Sequence, residues 1–421
     1  MTPTPSVTPT PVASASVVPD ATGSGTVEPA PSASPPASSP PGPTPTPLLV
    51  TTVAGDGTAG LLDGQGASAR FSGPTGLALL DSNPEPRLLV ADTGNNCLRR
   101  VSLGGFTETL AGDGAMADAD HASDPRQASF NRPEGLAVQP NVAVYVADTG
   151  NHRIRRIAYT NGVAGAVSTL AGGSEGFANG AGASAQFSSP RGLAIDLEGQ
   201  RLFVADSGNR RIRVIDLAQA SHPVTTLAGT GAAGGGDGTG SVATFFQPSA
   251  LGWDGSVLFV IDRVDCRVRQ IFPGSGTPET AQVVEYLGAS APDFADGGQG
   301  VARFDFTAAG GGIFIAPQMN MIIADSGNQR VRIHTDTLGT QTAAGTGTRG
   351  GTKPNTTSVP GAFRDGPATR GDVEALAQFN GPVGVVYVAA GEGASGTVYV
   401  TDSGNHRVRR VQVDKLRSPF D

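Results

Sequence analysis

Short apolar runs alternate with glycine-rich turns along most of this chain, and one pattern of apolar and polar positions occurs six times. The copies read VADTGNNCLRRV, VADTGNHRIRRI, VADSGNRRIRVI, VIDRVDCRVRQI, IADSGNQRVRIH and VTDSGNHRVRRV. In each copy an apolar run ends at an aspartate, a turn follows, and a strand of alternating apolar and polar side chains comes next. Because alternating side chains lie on opposite faces of a strand, each copy predicts a β-hairpin with one buried face.

Two charged positions recur in every hairpin. The aspartates are Asp92, Asp148, Asp206, Asp262, Asp325 and Asp402, spaced 56, 58, 56, 63 and 77 residues apart. The arginines that follow them in the second strand are Arg99, Arg155, Arg213, Arg269, Arg332 and Arg409. A repeat of this length, filled with short strands and turns, is typical of a propeller or a solenoid.

Two further positions recur upstream of each hairpin. The phenylalanines of an Ala-x-Phe motif are Phe71, Phe130, Phe187, Phe245, Phe304 and Phe379, and a proline follows three residues later in all copies but the fifth, which has Thr307. A small apolar strand comes after most of these prolines, and a strand such as TLAG precedes each phenylalanine by a glycine-rich loop. Each repeat therefore supplies four strands, which is one propeller blade.

The phase of the repeat predicts how the ring closes. The chain opens with a TLAG-type strand, Thr51–Ala54, and ends after its sixth arginine-rich strand with no such strand following. We therefore predict that Thr51–Ala54 pairs with Arg407–Val411 as the outer strand of the last blade, which removes an exposed edge. The predicted fold is all-β, a six-bladed β-propeller of four-stranded antiparallel blades closed by the N-terminal strand.

The first 47 residues differ from the rest. They hold 14 Pro and 16 Ser or Thr, and their only charged residues are Asp20 and Glu28. Such a segment buries too little apolar surface to offset its ordering entropy, so we expect a disordered or polyproline-like tail over residues 1–47 and a propeller over residues 48–421. Stalks of this composition are typical of extracellular proteins. This favours an extracellular or cell-surface location, although Met1 leads into no secretory signal and a cytoplasmic protein remains an alternative.

The net charge of −8 is a poor starting point for nucleic-acid binding, and no apolar run is long enough for a membrane-spanning helix. Two cysteines, Cys97 and Cys266, belong to the first and fourth repeats. Opposite blades of a six-membered ring are too far apart for a disulfide, so we expect both thiols to be free in a monomeric propeller.

The second copy, Asp148 to Arg155, closely resembles the NHL repeat, and the Asn-His pair of that repeat is present at Asn151-His152 and Asn405-His406. The resemblance covers about 365 residues and implies a six-bladed propeller with an interaction surface, without implying one activity. The fourth copy departs most, because Arg263-Val264-Asp265-Cys266 replaces the Thr-Gly-Asn-His turn. Its turn geometry is therefore in question.

The recurring charges are interpreted as structural. An aspartate and an arginine that share a hairpin face can pair within or between blades, and a residue that recurs six times around a ring belongs to its frame. Some propeller lyases bind zinc through a set of histidines, and this chain has no matching set. Lactonase-like propellers hold calcium on the axis, whereas the inner strands of this chain are apolar, with Gln139, Asp196 and Asp254 near their ends.

Calcium has one candidate loop, in which Asp118, Asp120 and Asp124 supply three carboxylates in seven residues. The loop lacks the bidentate glutamate and the turn glycine of an EF-hand, and no cofactor is expected otherwise. Asp-Gly pairs also recur at Asp63, Asp237, Asp296 and Asp365, with Asn179-Gly180 in the third repeat, and turn chemistry accounts for them.

Specificity in a repeat protein is carried by positions that vary on the fixed frame. The residue between Pro and Gly, at the start of each inner strand, should lie at the mouth of the axial channel. These ligand-facing candidates are Thr75, Glu134, Arg191, Ser249 and Val383. Glu134 and Arg191 could orient a polar ligand or pair with each other. The sequence predicts a non-catalytic binding or scaffolding module for a protein, peptide or glycan. The alternative is a hydrolase or lyase with an axial divalent metal.

Overall fold

The computed structural model of the protein describes residues 49–80, 85–198, 200–316, 320–345, 366–367, 377–389 and 396–413. Contacts divide the chain into residues 1–46 and a compact unit from Pro47 to Asp421. The tail, Asp365 and most of the loop at 346–376 lie outside the described residues. No helix in the described part is long and apolar enough to cross a membrane.

The described strands form six antiparallel sheets. The first strand of the chain is β1 (Leu49–Ala54). The first blade contains β2 (Gly64–Gln65), β3 (Leu77–Leu80), β4 (Arg87–Asp92), β5 (Cys97–Ser102) and β6 (Phe106–Ala111). The second contains β7 (Pro133–Gln139), β8 (Ala143–Asp148), β9 (Arg153–Thr160) and β10 (Val163–Gly172). The third contains β11 (Pro190–Asp196), β12 (Arg201–Asp206), β13 (Arg211–Asp216) and β14 (Val224–Ala228).

The other half of the ring repeats this order. The fourth blade contains β15 (Gly238–Thr239), β16 (Pro248–Trp253), β17 (Leu258–Asp262), β18 (Arg267–Phe272) and β19 (Gln282–Gly288). The fifth contains β20 (Gly312–Ala316), β21 (Asn320–Asp325), β22 (Arg330–Thr335) and β23 (Gly339–Ala344). The sixth contains β24 (Gly366–Pro367), β25 (Pro382–Ala389), β26 (Gly396–Asp402), β27 (Arg407–Val413) and β1.

The predicted all-β, six-bladed propeller is confirmed, with one difference in strand count. Three blades have a fifth strand of two residues, β2, β15 or β24, which pairs with the outer strand of its sheet. Each of these short strands lies in the loop before the Ala-x-Phe motif. The prediction of four strands in every blade missed them, because two residues carry no detectable alternation.

The N-terminal strand closes the ring, as predicted. Strand β1 pairs antiparallel with β27, with Val50 opposite Val411 and Thr52 opposite Arg409. Side chains at Val50 and Ala54 are fully buried in this closure.

The hydrophobic core is divided into six clusters, each lying between two adjacent blades. Along β4, Leu88 and Val90 pack towards the sixth blade, whereas Leu89 and Ala91 pack towards the second. Both faces of the strand are therefore buried, which explains why the central strands read as continuous apolar runs. The inner strands follow the same rule, so their apolar side chains pack between blades.

Both cysteines are free and buried, as expected from their places in opposite blades. Burial raises the pKa of the Cys97 thiol, and it raises the pKa of Cys266 to about 11. Neither thiol is therefore a ready nucleophile in the folded protein.

Candidate functional site

The recurring aspartate and arginine form buried ion pairs in five of the six hairpins. The pairs, at N–O distances of 2.7 to 2.9 Å, are Asp92–Arg99, Asp148–Arg155, Asp206–Arg213, Asp325–Arg332 and Asp402–Arg409. All ten side chains are fully buried. The asparagine of the turn donates to the same aspartate, as Asn95 does to Asp92 at 2.8 Å. The unit thus ties both strands of a hairpin to their turn.

The phenylalanine of the Ala-x-Phe motif completes this unit. Each buried guanidinium lies over the ring of its own blade, at 5.1 to 5.5 Å from the centroid, in the pairs Arg99–Phe71, Arg155–Phe130, Arg213–Phe187, Arg269–Phe245, Arg332–Phe304 and Arg409–Phe379. A cation over an aromatic face is favourable when both are desolvated. The motif is therefore one face of the arginine's binding site.

The aspartate or asparagine of the glycine-rich loop accepts hydrogen bonds from the same arginine. The side chains that accept from the buried arginines are Asp63, Asp120, Asn179, Asp237 and Asp296. Sequence reasoning assigned four of them to turns and Asp120 to calcium. A usable signal was present, since four of the five lie eight residues before the phenylalanine of their blade.

Each of the three calcium candidates bonds to a different arginine residue. Asp118 pairs with Arg153 at 2.9 Å, and Asp120 pairs with Arg155 at 2.6 Å. Asp124 accepts from the backbone N–H of Arg126 at 3.0 Å. Among the described residues, no three His, Cys, Asp or Glu side chains are grouped closely enough to hold a metal ion. Calcium at this loop stays a prediction, without support from the geometry.

The fourth hairpin keeps its turn but lacks the ion pair. Cys266 has a φ of 53°, the left-handed value that His152 has in the second copy. Asp262 is fully buried and accepts from the backbone N–H groups of Phe246 and Gln247, at 2.8 and 2.7 Å, and makes no ion pair with Arg269. Burial, and the nearby carboxylate of Asp265, raise the pKa of Asp262 to about 6.

Two kinds of side chain join neighbouring blades at every junction of the described ring except that between the fourth and fifth blades. The left-handed residue of four turns accepts from a backbone N–H of the following blade, in the pairs Asn96–Arg132, His152–Ser189, Gln329–Gly381 and His406–Gly73. The hydroxyl after the aspartate donates across the same junction, in the pairs Thr93–Pro133, Thr149–Pro190 and Ser207–Pro248. The histidines of the Asn-His pair are therefore blade connectors.

The glycine of the Pro-x-Gly motif sets the width of the axis. A Cβ atom on these glycines would lie 1.9 to 2.7 Å from a carbonyl oxygen of the next blade, in the pairs Gly76–Glu134, Gly135–Arg191, Gly192–Ser249, Gly312–Val383 and Gly384–Thr75. No real Cβ contact is that short, so the motif requires glycine because two inner strands touch there.

These inner strands enclose an axial cavity of about 340 Å³. The strands β3, β7, β11, β16, β20 and β25 are each the last strand of their sheet, so backbone edges face the axis. All five ligand-facing candidates, Thr75, Glu134, Arg191, Ser249 and Val383, line this cavity. In the fifth blade the equivalent position is Gly311, which follows a loop that is three residues longer.

Glu134 and Arg191 pair with each other at 2.7 Å, which is the second of the two arrangements that the sequence left open. Their side chains are 12% and 20% exposed, so the pair is largely withdrawn from water. Burial raises the pKa of Glu134, and the positive charges of Arg191, Arg132 and Arg263 oppose that rise.

Arg263 was missed as a site residue. It occupies the slot of Thr93 and Thr149, and its Nη2 atom donates to the carbonyl oxygen of Thr307 in the fifth blade at 2.8 Å. Its side chain lies beside Gly310, in the longer loop that lines the cavity. The substitution that made this turn doubtful thus brings a cation to the mouth.

The far end of the cavity has an aromatic cluster. Trp253 lines the cavity and lies 5.2 Å from the ring of Phe203, between centroids. Arg201 lies over both rings and pairs with Asp196 at 2.6 Å. Asp196, noted near the end of an inner strand, is thus committed to an arginine.

The sequence pattern of the NHL repeat matches residues 130–157 and 187–215, which are the second and third hairpins with their preceding inner strands. The chain contains NHL repeats. This NHL propeller is 30% identical over 263 residues to Protein SUPPRESSOR OF QUENCHING 1, chloroplastic, from Arabidopsis thaliana, covering 58% of this chain and 24% of that protein. It is 30% identical over 247 residues to NHL repeat-containing protein 2 from Bos taurus, covering 51% of this chain and 33% of that protein.

The NHL propeller thus spans between a quarter and a third of these curated relatives. Among solved structures, an auxiliary nutrient binding protein from Bacteroides thetaiotaomicron superposes with a TM-score of 0.60 at 15% identity. The superposition covers 87% of this chain and 77% of that one. At this identity the likeness shows the fold.

Proposed function

We propose that the chain is a non-catalytic binding or scaffolding propeller that takes a protein, peptide or glycan ligand at the mouth of the axial cavity. The main support is that the residue between Pro and Gly differs from blade to blade, while the close glycine contacts fix the backbone beside it. Thr75, Glu134, Arg191, Ser249 and Val383 all line one cavity. Different side chains on a rigid ring form a surface that is complementary to one ligand without rearrangement.

The chemistry of the cavity supports binding of a polar ligand. Six strand edges present backbone N–H and C=O groups towards the axis, where a ligand or water must satisfy them. Among the described residues that line the cavity, Glu134 is the acidic one, and it is paired with Arg191. This composition does not favour the lactonase-like alternative, since calcium needs six or more oxygen ligands.

The test is a paired screen of the full-length chain on glycan and peptide arrays. The site variant is Glu134→Ala with Arg191→Ala. A matched control is Glu108→Ala with Arg100→Ala, which removes a second Glu–Arg pair with the same 2.7 Å separation on the outer strands of the first blade. Ligands of the mouth should lose binding to the site variant and keep it with the control. Array ligands that bind all three proteins equally would place the binding surface elsewhere.

A further inference from the structure

We propose, building on the function above, that the mouth binds the carboxylate of a small polyhydroxylated ligand between Arg191 and Arg263. The inference begins with a charge imbalance. Three guanidinium groups, from Arg132, Arg191 and Arg263, act on one carboxylate, that of Glu134. In a chain with a net charge of −8, this local excess of positive charge is unexpected.

The two inner arginines have donors to spare. Arg191 gives one N–H to Glu134 at 2.7 Å, and its Nε atom is buried without a partner. Arg263 gives Nη2 to the carbonyl of Thr307. A guanidinium has five N–H donors in a planar fork, a geometry that suits a carboxylate. The anchoring bonds to Glu134 and Thr307 fix each fork in place before a ligand arrives.

The environment of these arginines favours an anion. Burial lowers the pKa of Arg263, and the positive charge of Arg191 lowers it further, while the charge of Glu134 opposes both effects, so the two cations share a partly buried space. An uncompensated charge in such a space is costly, and an incoming carboxylate would relieve that cost. Glu134 can balance one of the two inner arginines, which leaves room for one more negative charge.

The rest of the cavity indicates the remainder of the ligand. The walls at this end are lined by Thr75 and Ser249, whose hydroxyls bond to Thr93 and to the carbonyl oxygen of Ile261, by the glycines around Gly311, and by the backbone edges of six strands. Alternating donors and acceptors along a strand edge complement ligand hydroxyls, which can both donate and accept. The cavity volume, about 340 Å³, lies at the lower end of the range for small-molecule sites.

Trp253 makes this inference measurable, because it is the one tryptophan of the chain and it lines the cavity. The experiment is a fluorescence titration of the full-length chain with D-glucuronate and with its neutral counterpart, D-glucose. Glucuronate should give a saturable change and bind at least about tenfold more tightly than glucose, which corresponds to about 1.4 kcal/mol.

The decisive variant is Arg263→Thr, which restores the residue type of Thr93 and Thr149 at this slot. It should weaken glucuronate binding about tenfold and leave glucose binding unchanged. Arg263→Gln serves as a second variant if the first has a lowered melting temperature. Arg126→Thr is the charge-matched control, because its side chain is 67% exposed on an outer loop. This control should bind glucuronate like the parent protein.

Equal affinity for glucuronate and glucose, or equal affinity of the parent and Arg263→Thr, would overturn the carboxylate subsite and leave a binding role for the cavity intact. Acetate binding as tightly as glucuronate would mean an adventitious anion only. Binding of N-acetyl-diglycine in preference to glucuronate would replace the ligand class with a peptide carboxylate. The proposed function has a separate test: it fails if array ligands bind the variant without Glu134 and Arg191 as well as they bind the parent.

Discussion

The Nδ1 atom of His406, in the last hairpin, accepts a hydrogen bond from the backbone N–H of Gly73, in the first blade, at 3.0 Å. The two residues are 333 positions apart in the sequence. The same contact joins His152, in the second blade, to Ser189, in the third, also at 3.0 Å. The junction that closes the ring is therefore built like an ordinary junction between consecutive blades, with β1 added on its outside.

Removing the closing strand should destabilise the ring. Deletion of residues 48–56 would unpair β27 and expose the core around Val50 and Ala54, which are fully buried. We expect the melting temperature to fall by roughly ten degrees or more. Deletion of residues 1–45, measured by the same calorimetry, should leave it within a few degrees. Equal tolerance of the two deletions would show that β1 does not hold the ring closed.

A methyl group at the axis should be as harmful as a core defect. In Gly135→Ala the new Cβ would lie 1.9 Å from the carbonyl oxygen of Arg191, so two inner strands must separate. We expect a loss of about 1–3 kcal/mol in the free energy of unfolding, measured by denaturant titration. Gly173→Ala is the control, because nothing lies within 4 Å of its Cβ position. A neutral Gly135→Ala would mean that the strands do not touch there.

The Glu134–Arg191 pair should show a large coupling energy. Arg191→Ala leaves a buried carboxylate without its partner, whereas the double alanine variant removes both charges. We expect the single variant to lose about 1–3 kcal/mol and the double variant to lose less, in a double-mutant cycle measured by urea unfolding. Additive losses would show that the two side chains do not interact in solution.

Asp262 should make stability fall with rising pH. Its pKa is raised to about 6 in the folded protein from an ordinary value of 3.8. The folded state therefore keeps a proton that the unfolded chain has lost, and this contribution is complete below about pH 3.8 and lost as pH rises through about 6. The stability advantage of the parent over Asp262→Asn should shrink between pH 4 and 7.

A second aspartate serves as the control for this titration. A backbone hydrogen bond from Arg126 lowers the pKa of Asp124. Its contribution is present above the ordinary pKa and is lost as pH falls, so the stability difference between the parent and Asp124→Asn should be constant above about pH 4 and shrink only below it. A flat difference between the parent and Asp262→Asn from pH 4 to 7 would mean that Asp262 stays charged when buried.

Both thiols should be unreactive until the ring opens. Cys97 and Cys266 are fully buried, and burial raises the pKa of each. Incubation with iodoacetamide at pH 8 should leave the native mass unchanged, while the same treatment in guanidinium should add two carbamidomethyl groups. Intramolecular crosslinking of the two cysteines would contradict the blade order.

The fold could be predicted because it is written locally and repeatedly. The Asp148–Arg155 pair is set by a spacing of seven residues that all six hairpins keep, and the Phe130 ring belongs to a motif that recurs in every blade. The arginine contact of Asp120 was missed because it comes from a loop 35 residues before Arg155, and that separation changes from 32 to 36 among the other blades.

The mouth was harder to predict, because its decisive residue is an exception to the repeat. Positions such as Thr75 and Glu134 follow from the Pro-x-Gly motif, and the structure places all five around one cavity. Arg263 lies beside that cavity, against the extended loop of the fifth blade. Sequence periodicity describes what the blades share. It therefore cannot predict where Arg263 lies, because this side chain extends from the fourth blade to a longer loop that only the fifth blade has.

The pairing of β1 with β27 also determines how the ring would respond to mechanical tension. In this antiparallel pair Val50 lies opposite Val411, so the start of β1 and the end of β27 lie side by side. The hydrogen bonds between them run perpendicular to the strands. A force that pulls these two ends apart would load the bonds one at a time, in the unzipping direction. The blade that joins first and last strands is therefore the place where a stretched chain would open.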